Sequence, residues 1–365
     1  MRVSRRQLIA GAAALGMMPS KAEAWFPHGS QQVPITKLRI VGLAGQSNMA
    51  GRALSDPSVD TDPTGILYQF PDWVNYQPGG TWSSGVTYPQ YAQTVGSDNN
   101  YYLSVNAGNI GNNPVGDGGI NWVDVNFQHE YHIIQKGISP LMHEVTADTW
   151  NNLGFNLGPW QSFAVSYATN KPDAALLLVP GAVGGSSMLG TNGQWEAGSP
   201  GEGDYEHMIT LCNLAYTAGV AQYGVGNVTF EGFLWAQGES DCTSASANSG
   251  YADAGHTILV NEANYQSALE GVRAGFRARI SGASNAWFCT IGMMEDFISN
   301  LTPYGGYVDY AQQAIVTSDS LSRTAYVPGL TGVQYDLGGS IYSEHYSALG
   351  YRTLGPAAFT AVAGF

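Results

Sequence analysis

Five apolar runs punctuate this chain of 365 residues: Leu38 to Ala44, Ala174 to Val179, Phe230 to Trp235, Ala286 to Ile291 and, less sharply, Thr324 to Val327. Each is short and almost continuously apolar, the mark of a strand buried on both faces. Long stretches separate them, and parallel neighbours need that length because a crossover takes a dozen or more residues. Two intervals carry a helical period. In "EANYQSALEGVRAGFRARI", Tyr265, Leu269, Val272, Phe276 and Ile280 recur three and four apart, leaving Glu270, Arg273 and Arg277 on other faces. In "YEHMITLCNLAYTAGVAQY", Tyr205, Met208, Cys212, Ala215 and Gly219 do the same, with Gly219 marking a close approach or a late break. Strand and helix alternate, which predicts an α/β sandwich built on a parallel sheet.

The period disappears between about residues 55 and 160, where "QPGGTWSSGVTYPQ" and "SVNAGNIGNNPVGDGGINW" are dense in turn formers. A loop-rich stretch of that length is uncommon inside a compact domain and tends to be functional. It reads as an insertion walling a cleft of one domain. Its aromatic residues, among them Trp82, Tyr88, Tyr91, Tyr101, Tyr102 and Trp122, suit either stacking on sugar rings or packing beneath glycine-rich loops. No fixed repeat is visible, which argues against a solenoid or propeller.

The first 24 residues stand apart as an export signal: a basic start at Arg2, Arg5 and Arg6, the apolar stretch "LIAGAAALGMM", and a small-x-small site at Ala22-Glu23-Ala24. Ser4-Arg5-Arg6-Gln7-Leu8 matches the twin-arginine form of such signals, against an ordinary secretory signal with a chance arginine pair. The apolar stretch is too short to span a bilayer. The expectation is therefore a periplasmic or secreted chain, one domain from Trp25 to Phe365, with no membrane insertion after the signal is removed.

Charge narrows the partners. The formal net charge is −14, and losing the signal removes mainly basic residues, so the mature chain is more acidic still. That sign disfavours nucleic acid and anionic membrane surfaces, which would repel it. Only 12% of residues are charged, while glycine (47), tyrosine (21) and tryptophan (9) are plentiful, a composition common in exported proteins that handle carbohydrate. Three cysteines allow at most one internal disulfide, with Cys212 and Cys242 as a possible pair, or three buried thiols.

Ligands in parallel sheets collect at the carboxyl ends of the strands. The first run ends in Gly45-Gln46-Ser47-Asn48, the second enters Gly181-Ala182-Val183-Gly184-Gly185-Ser186-Ser187, and the third enters Ala236-Gln237-Gly238-Glu239-Ser240-Asp241. Near the end of the chain, "IYSEHYSALGYR" places His345 before a last helix. Together these supply what acyl transfer by serine requires: a hydroxyl, a base, an acid to orient the base, and donors for the oxyanion. Ser47 is the candidate nucleophile, His345 the base and Glu239 or another carboxylate the acid. The oxyanion donors would be the N–H of Ser47, a backbone N–H of Gly184 or Gly185, and the Gln237 side-chain amide. Singly, each has a plainer reading: Ser47 and Asn48 as a helix cap, His345 as a structural histidine, the glycines as a turn, Glu239 as a surface carboxylate. Their joint placement after three buried strands favours the catalytic one.

On "GQSNMAG" at 45 to 51, "VPGAVGGSSM" at 179 to 188, "WAQGESD" at 235 to 241 and "HYSALGYR" at 345 to 352, the chain resembles the sialate O-acetylesterase-like proteins of carbohydrate esterase family 6, within the SGNH-type hydrolases. The resemblance implies a three-layer α/β/α sandwich, flavodoxin-like, with about five parallel strands. It implies Ser47 as nucleophile, His345 as base, hydrolysis of acetyl esters on sugars, and no metal or organic cofactor. Two positions depart from the family's pattern: Ala236 stands where a histidine is common, and Tyr342 where an aspartate is common three residues before the histidine. Tyrosine has a reference pKa near 10 and cannot be a charged acid at neutral pH. Glu239 is thus the first choice for the acid, with Glu344, Asp336 and Asp241 as alternatives. Gln46, Asn48 and Arg52 are expected against the substrate, Arg52 as the cation that a sialic acid carboxylate would need.

Other chemistry finds less support. His129, Glu130, His132 and His143 lack the His-Glu-x-x-His spacing of a zinc protease, and "DPSVDTDPTG" lacks the later glutamate of a calcium loop. Two rival readings remain: another serine hydrolase of the lipase or thioesterase kind, and a carbohydrate-binding protein that has lost activity, to which Ala236 and Tyr342 point.

Overall fold

The structure, a computed structural model, describes residues 36–51, 53–54, 67–69, 82–88, 93–97, 101–104, 108–117, 121–124, 131–133, 142–144, 156–189, 194–197, 203–250, 258–330, 332 and 344–365. The expected export signal, residues 1–24, lies outside them. Six parallel strands form the central sheet: β1 (Leu38–Gly45), β2 (Leu67–Gln69), β3 (Ala175–Pro180), β4 (Val228–Ala236), β5 (Trp287–Ile291) and β6 (Ser322–Ala325), in the order β6-β5-β4-β1-β3-β2. The helices are α1 (Ser47–Ala50), α2 (Pro159–Asn170), α3 (Asp204–Tyr223), α4 (Glu239–Ala247), α5 (Glu262–Arg279), α6 (Glu295–Asn300), α7 (Tyr304–Ser318) and α8 (Ala348–Val362). This is the expected α/β sandwich.

The five longer strands are those the apolar runs predict, within a few residues at each end. β2 is the addition. Its "LYQ" lies in the stretch read as loop, because three residues are too few to show a period, yet it extends the sheet beside β3. Without that edge strand the order follows the flavodoxin-like plan, in which the chain crosses to one side of β1 and then returns to the other. That switch opens a crevice at the carboxyl end of β1.

One layer of helices, α2 and α8, packs together against one face of the sheet; α3, α5 and α7 cover the other. The strand alternation assigns the rings: Trp287 on β5 meets Phe163 on α2 at 6.0 Å, while Phe233 on β4 meets Phe276 on α5 at 4.8 Å. Each buried ring of this kind contributes on the order of 2–3 kcal/mol. All five periodic positions named in α3 are buried, and so are those of α5 together with Ile280 just beyond it. Asn261 caps α5, its side chain accepting from Asn264 N at 2.9 Å. α3 runs through Gly219, which marks a close approach: a Cβ there would stand 2.7 Å from Leu38. Arg273 departs from the outward position read from the period. It is buried and donates to Ile315 O at 3.3 Å and to Ser322 Oγ at 3.2 Å, satisfying the turn that leads into β6. Cys212, Cys242 and Cys289 are buried free thiols, so the possible Cys212–Cys242 pair is not formed.

Within the 55–160 stretch, Gln93–Val95, Tyr101–Ser104 and Trp122–Asp124 pair as a small antiparallel sheet. Tyr88, Tyr102 and Trp122 bury into a satellite core with Trp82 packed against it, so these four take the packing role; Tyr91 lies outside the described residues. A second ribbon places His132 opposite His143 in its ladder, whereas His129 and Glu130 lie outside the described residues. Among the described residues no cluster of histidine, cysteine or carboxylate is placed to hold a metal ion. No described helix is long and apolar enough to cross a membrane.

Candidate active site

β3, β1 and β4 lie side by side, and the three short sequences that end them meet at one edge of the sheet. β1 leaves through Gly45 at φ +122°, where a Cβ would stand 2.1 Å from Ala236 O. Only glycine makes that bend. It brings Gln46 N onto Ala236 O at 2.7 Å and starts α1 at Ser47. As the first helical residue, Ser47 has an N–H without an intrahelical acceptor.

His345 arrives from the other end of the chain, two residues ahead of Ser347, whose hydroxyl caps α8 by accepting from Gly350 N at 3.2 Å. His345 Nε2 stands 2.9 Å from Ser47 Oγ. Ser47 is 4% exposed and the imidazole 23%, so the pair opens to solvent on the histidine side. This separation is within reach of proton transfer. Glu344 Oε1 lies 3.8 Å from that same Nε2, not on the Nδ1 side from which an orienting acid acts.

Glu239, expected beside His345, is found instead beside Asn48. It opens α4 after Gly238, which holds φ +142°. Asn48 Nδ2 donates to Glu239 Oε1 at 2.5 Å, while Oε2 has no hydrogen-bond partner among the described residues. Burial pushes the Glu239 carboxyl up to about 7, with Glu344 and Asp241 adding repulsion and the Asn48 bond opposing it.

The Asn48 amide reaches further. Nδ2 also donates to Glu344 O at 2.8 Å, and Oδ1 accepts from Tyr346 N at 3.3 Å and from Tyr351 Oη at 2.8 Å. Gln46 Oε1 accepts from Gly238 N at 3.4 Å, Ser240 N at 3.2 Å and Gln237 Nε2 at 3.3 Å, and so caps α4 from outside. Both side chains, expected to face substrate, are buried and bonded to the protein.

Gln237, expected as an oxyanion donor, is also engaged. Its Nε2 donates to Asp241 Oδ2 at 2.6 Å and Ser186 O at 3.2 Å, and its Oε1 accepts from Tyr265 Oη at 2.7 Å. Asp241 further accepts from Met188 N and Leu189 N, each at 2.9 Å, and thereby fastens the segment after β3 to α4. Gly184 and Gly185 form the turn at the head of that segment, with Gly185 at φ +73°; Val183 N donates to Gly45 O at 2.9 Å and pins the turn beside β1. Behind it, burial pushes Asp204 up to about 7 and His207 down to about 3. Arg52, Asp336 and Tyr342 lie outside the described residues.

The structure thus joins Ser47 to His345 and sets Glu239 one residue removed. Sequence reasoning missed the bridging role of Asn48 and the anchoring role of Asp241. Both are short polar residues within two positions of a candidate site residue and just beyond a buried strand, and that placement was the available signal that they bond inward.

Residues 126–265 match the family model described as carbohydrate esterase, sialic acid-specific acetylesterase. That span holds Gly184, Gly185, Gln237 and Glu239 but neither Ser47 nor His345. Among solved structures the chain is similar to NanS, with a TM-score of 0.50, 14% identity, and 91% of this chain and 98% of that one covered. It is also similar to a protein of Arabidopsis thaliana (TM-score 0.47, 17% identity, 90% and 98% covered) and to a carbohydrate acetylesterase from Xanthomonas citri (TM-score 0.45, 14% identity, 90% and 57% covered). In sequence it matches none of the curated proteins. The parallel sheet with helices on both faces is consistent with an SGNH-like hydrolase fold. Over residues 126–265 the chain is thus similar to the sialic acid-specific acetylesterases among the carbohydrate esterases.

Proposed function

We propose that the protein is a serine esterase that removes acetyl groups from sugars through an acetyl-enzyme. The observation that carries this reading is the 2.9 Å contact between Ser47 Oγ and His345 Nε2 at the carboxyl end of the central strand. With its proton on Nδ1, His345 takes the hydroxyl proton as Oγ attacks the acetyl carbonyl. The proton passes to the departing sugar oxygen, and a water deprotonated by the same Nε2 releases acetate and frees Ser47. The N–H of Ser47 and a backbone N–H of Gly184 or Gly185 serve the oxyanion. Gln237 holds the wall of this hole through Asp241 and Ser186. The scheme uses no cofactor.

The substrate is an acetylated sugar or polysaccharide, and nucleic acid is not a partner of so acidic a chain. The basic start of the chain and its arginine pair support export by the twin-arginine route, with work done in the periplasm or outside the cell. The test is release of p-nitrophenol from its acetate and longer esters, beside Ser47→Ala and His345→Ala. Turnover of acetate that fades with chain length and vanishes in both variants is expected. Turnover that rises with chain length would favour a lipase or thioesterase, and none above the Ser47→Ala background would sink the catalytic reading.

A further inference from the structure

A histidine that must receive a proton from a fixed serine has to be held in place, and here the segment carrying it follows residues far from α1 in sequence. Two side chains away from the reacting atoms provide the hold. Asn48, next to the nucleophile, grips the backbone on both sides of the base: its Nδ2 donates to Glu344 O at 2.8 Å and its Oδ1 accepts from Tyr346 N at 3.3 Å. A planar amide can serve both only in one orientation, since exchanging its O and N would set donor against donor and acceptor against acceptor. Glu239 selects that orientation, because its Oε1 accepts from Nδ2 and rejects an oxygen. Tyr351 Oη, donating to Oδ1 at 2.8 Å, secures the other end.

We infer that Glu239 and Asn48 form a positioning pair that fixes His345 through its backbone, and that Glu239 works by accepting a hydrogen bond from Asn48 rather than as the acid of a triad touching the imidazole. The inference rests on the esterase reading for its kinetic consequence, but the clamp itself has a signature that needs no turnover. The Tyr346 amide is bonded to Asn48 Oδ1, so its hydrogen exchange reports the clamp directly.

The experiment compares the full-length protein with Glu239→Ala, Glu239→Gln, Asn48→Ala and the Asn48→Ala/Glu239→Ala double variant. It reads p-nitrophenyl acetate kinetics together with exchange at the Tyr346 amide by NMR. Glu239→Ala and Asn48→Ala should each lose about 100-fold in kcat with KM little changed, the scale of a small misplacement of a reacting group. The Tyr346 amide should exchange faster in both. Glu239→Gln keeps an acceptor for Nδ2 and should recover at least about tenfold of the loss, along with slow exchange. The double variant should be no worse than Asn48→Ala alone, since the effect of Glu239 passes through Asn48.

Glu239→Gln as damaged as Glu239→Ala would show that the charge is needed and overturn the inference. So would losses that multiply in the double variant, or Tyr346 exchange unchanged throughout. If Glu239→Ala does not fold, Glu239→Gln and Asn48→Ala still decide. A parent without turnover would remove the esterase reading and leave the exchange measurement to judge the clamp.

Discussion

Glu239 keeps its proton in the fold up to about pH 7, whereas an ordinary glutamate releases it near 4.5. Between those values the folded state binds more protons than the unfolded one, so this residue's contribution to stability falls as pH rises through the window. Glu239→Gln removes that dependence and leaves a constant cost for burying an amide N–H2 where Oε2 lacked a partner. Urea unfolding at several pH values checks this: relative to the parent, the variant should gain stability between about pH 4.5 and pH 7 and show no further gain above. His207 acts in the opposite sense. Its depressed folded value, about 3, means that stability is lost as pH falls below the ordinary 6.5, because the unfolded chain then takes up a proton that the buried ring refuses. A parent profile is the sum of these effects, which is why the difference between variants is the readable quantity.

The first turn of α4 ties three strand ends together. Asp241 receives two backbone amides from the segment after β3 and the amide of Gln237 after β4. Asp241→Ala leaves the buried N–H groups of Met188 and Leu189 without their acceptor and takes one of three from the Gln237 amide, and should cost about 3–5 kcal/mol, seen as a lower denaturation midpoint. Because the Gly184-Gly185 turn heads that segment, esterase turnover should fall even under conditions where the variant remains folded. Gly45→Ala has a different cause. A side chain there collides with Ala236 O in a backbone region that L-residues avoid, so the β1 to α1 bend and the placement of Ser47 should fail together. Soluble yield and turnover would both drop. At this scale the sequence was legible wherever burial is continuous: the runs ending at Ala44, Val179, Trp235 and Ile291 announce their strands, and the three- and four-residue spacing announces α3 and α5. β2 was illegible because "LYQ" is shorter than any period. Ser47 and His345 could be found from motif and position, but the partner of Glu239 could not. Which way a buried carboxylate points depends on an asparagine at the end of the neighbouring strand, far away in sequence, and no spacing in the chain records that.

Over the whole molecule, the net charge of −14 sets a field that every substrate crosses. A neutral acetylated sugar feels little of it, whereas a sialic acid brings its own carboxylate into a repelling surround. Raising ionic strength from about 10 mM to about 300 mM shortens the screening length severalfold. The KM for an O-acetylated sialic acid should therefore fall with salt, while that for a neutral acetylated sugar should hold steady. A KM for the sialic acid that rises with salt would point instead to a local cation overriding the global field.

The hydrogen bond between nucleophile and base closes a loop of 298 positions. During synthesis, all six strands exist once Ala325 is made, and Ser47 is already at its bend, yet the imidazole has not been added. α8, which follows His345 in the chain, covers α2, β5 and β6. A chain cut short before His345 would lack the base and expose an apolar sheet face at once. On the proposed esterase reading, termination or trimming before His345 thus removes activity and solubility in one stroke, and no folded fragment that binds substrate without turning it over is left behind.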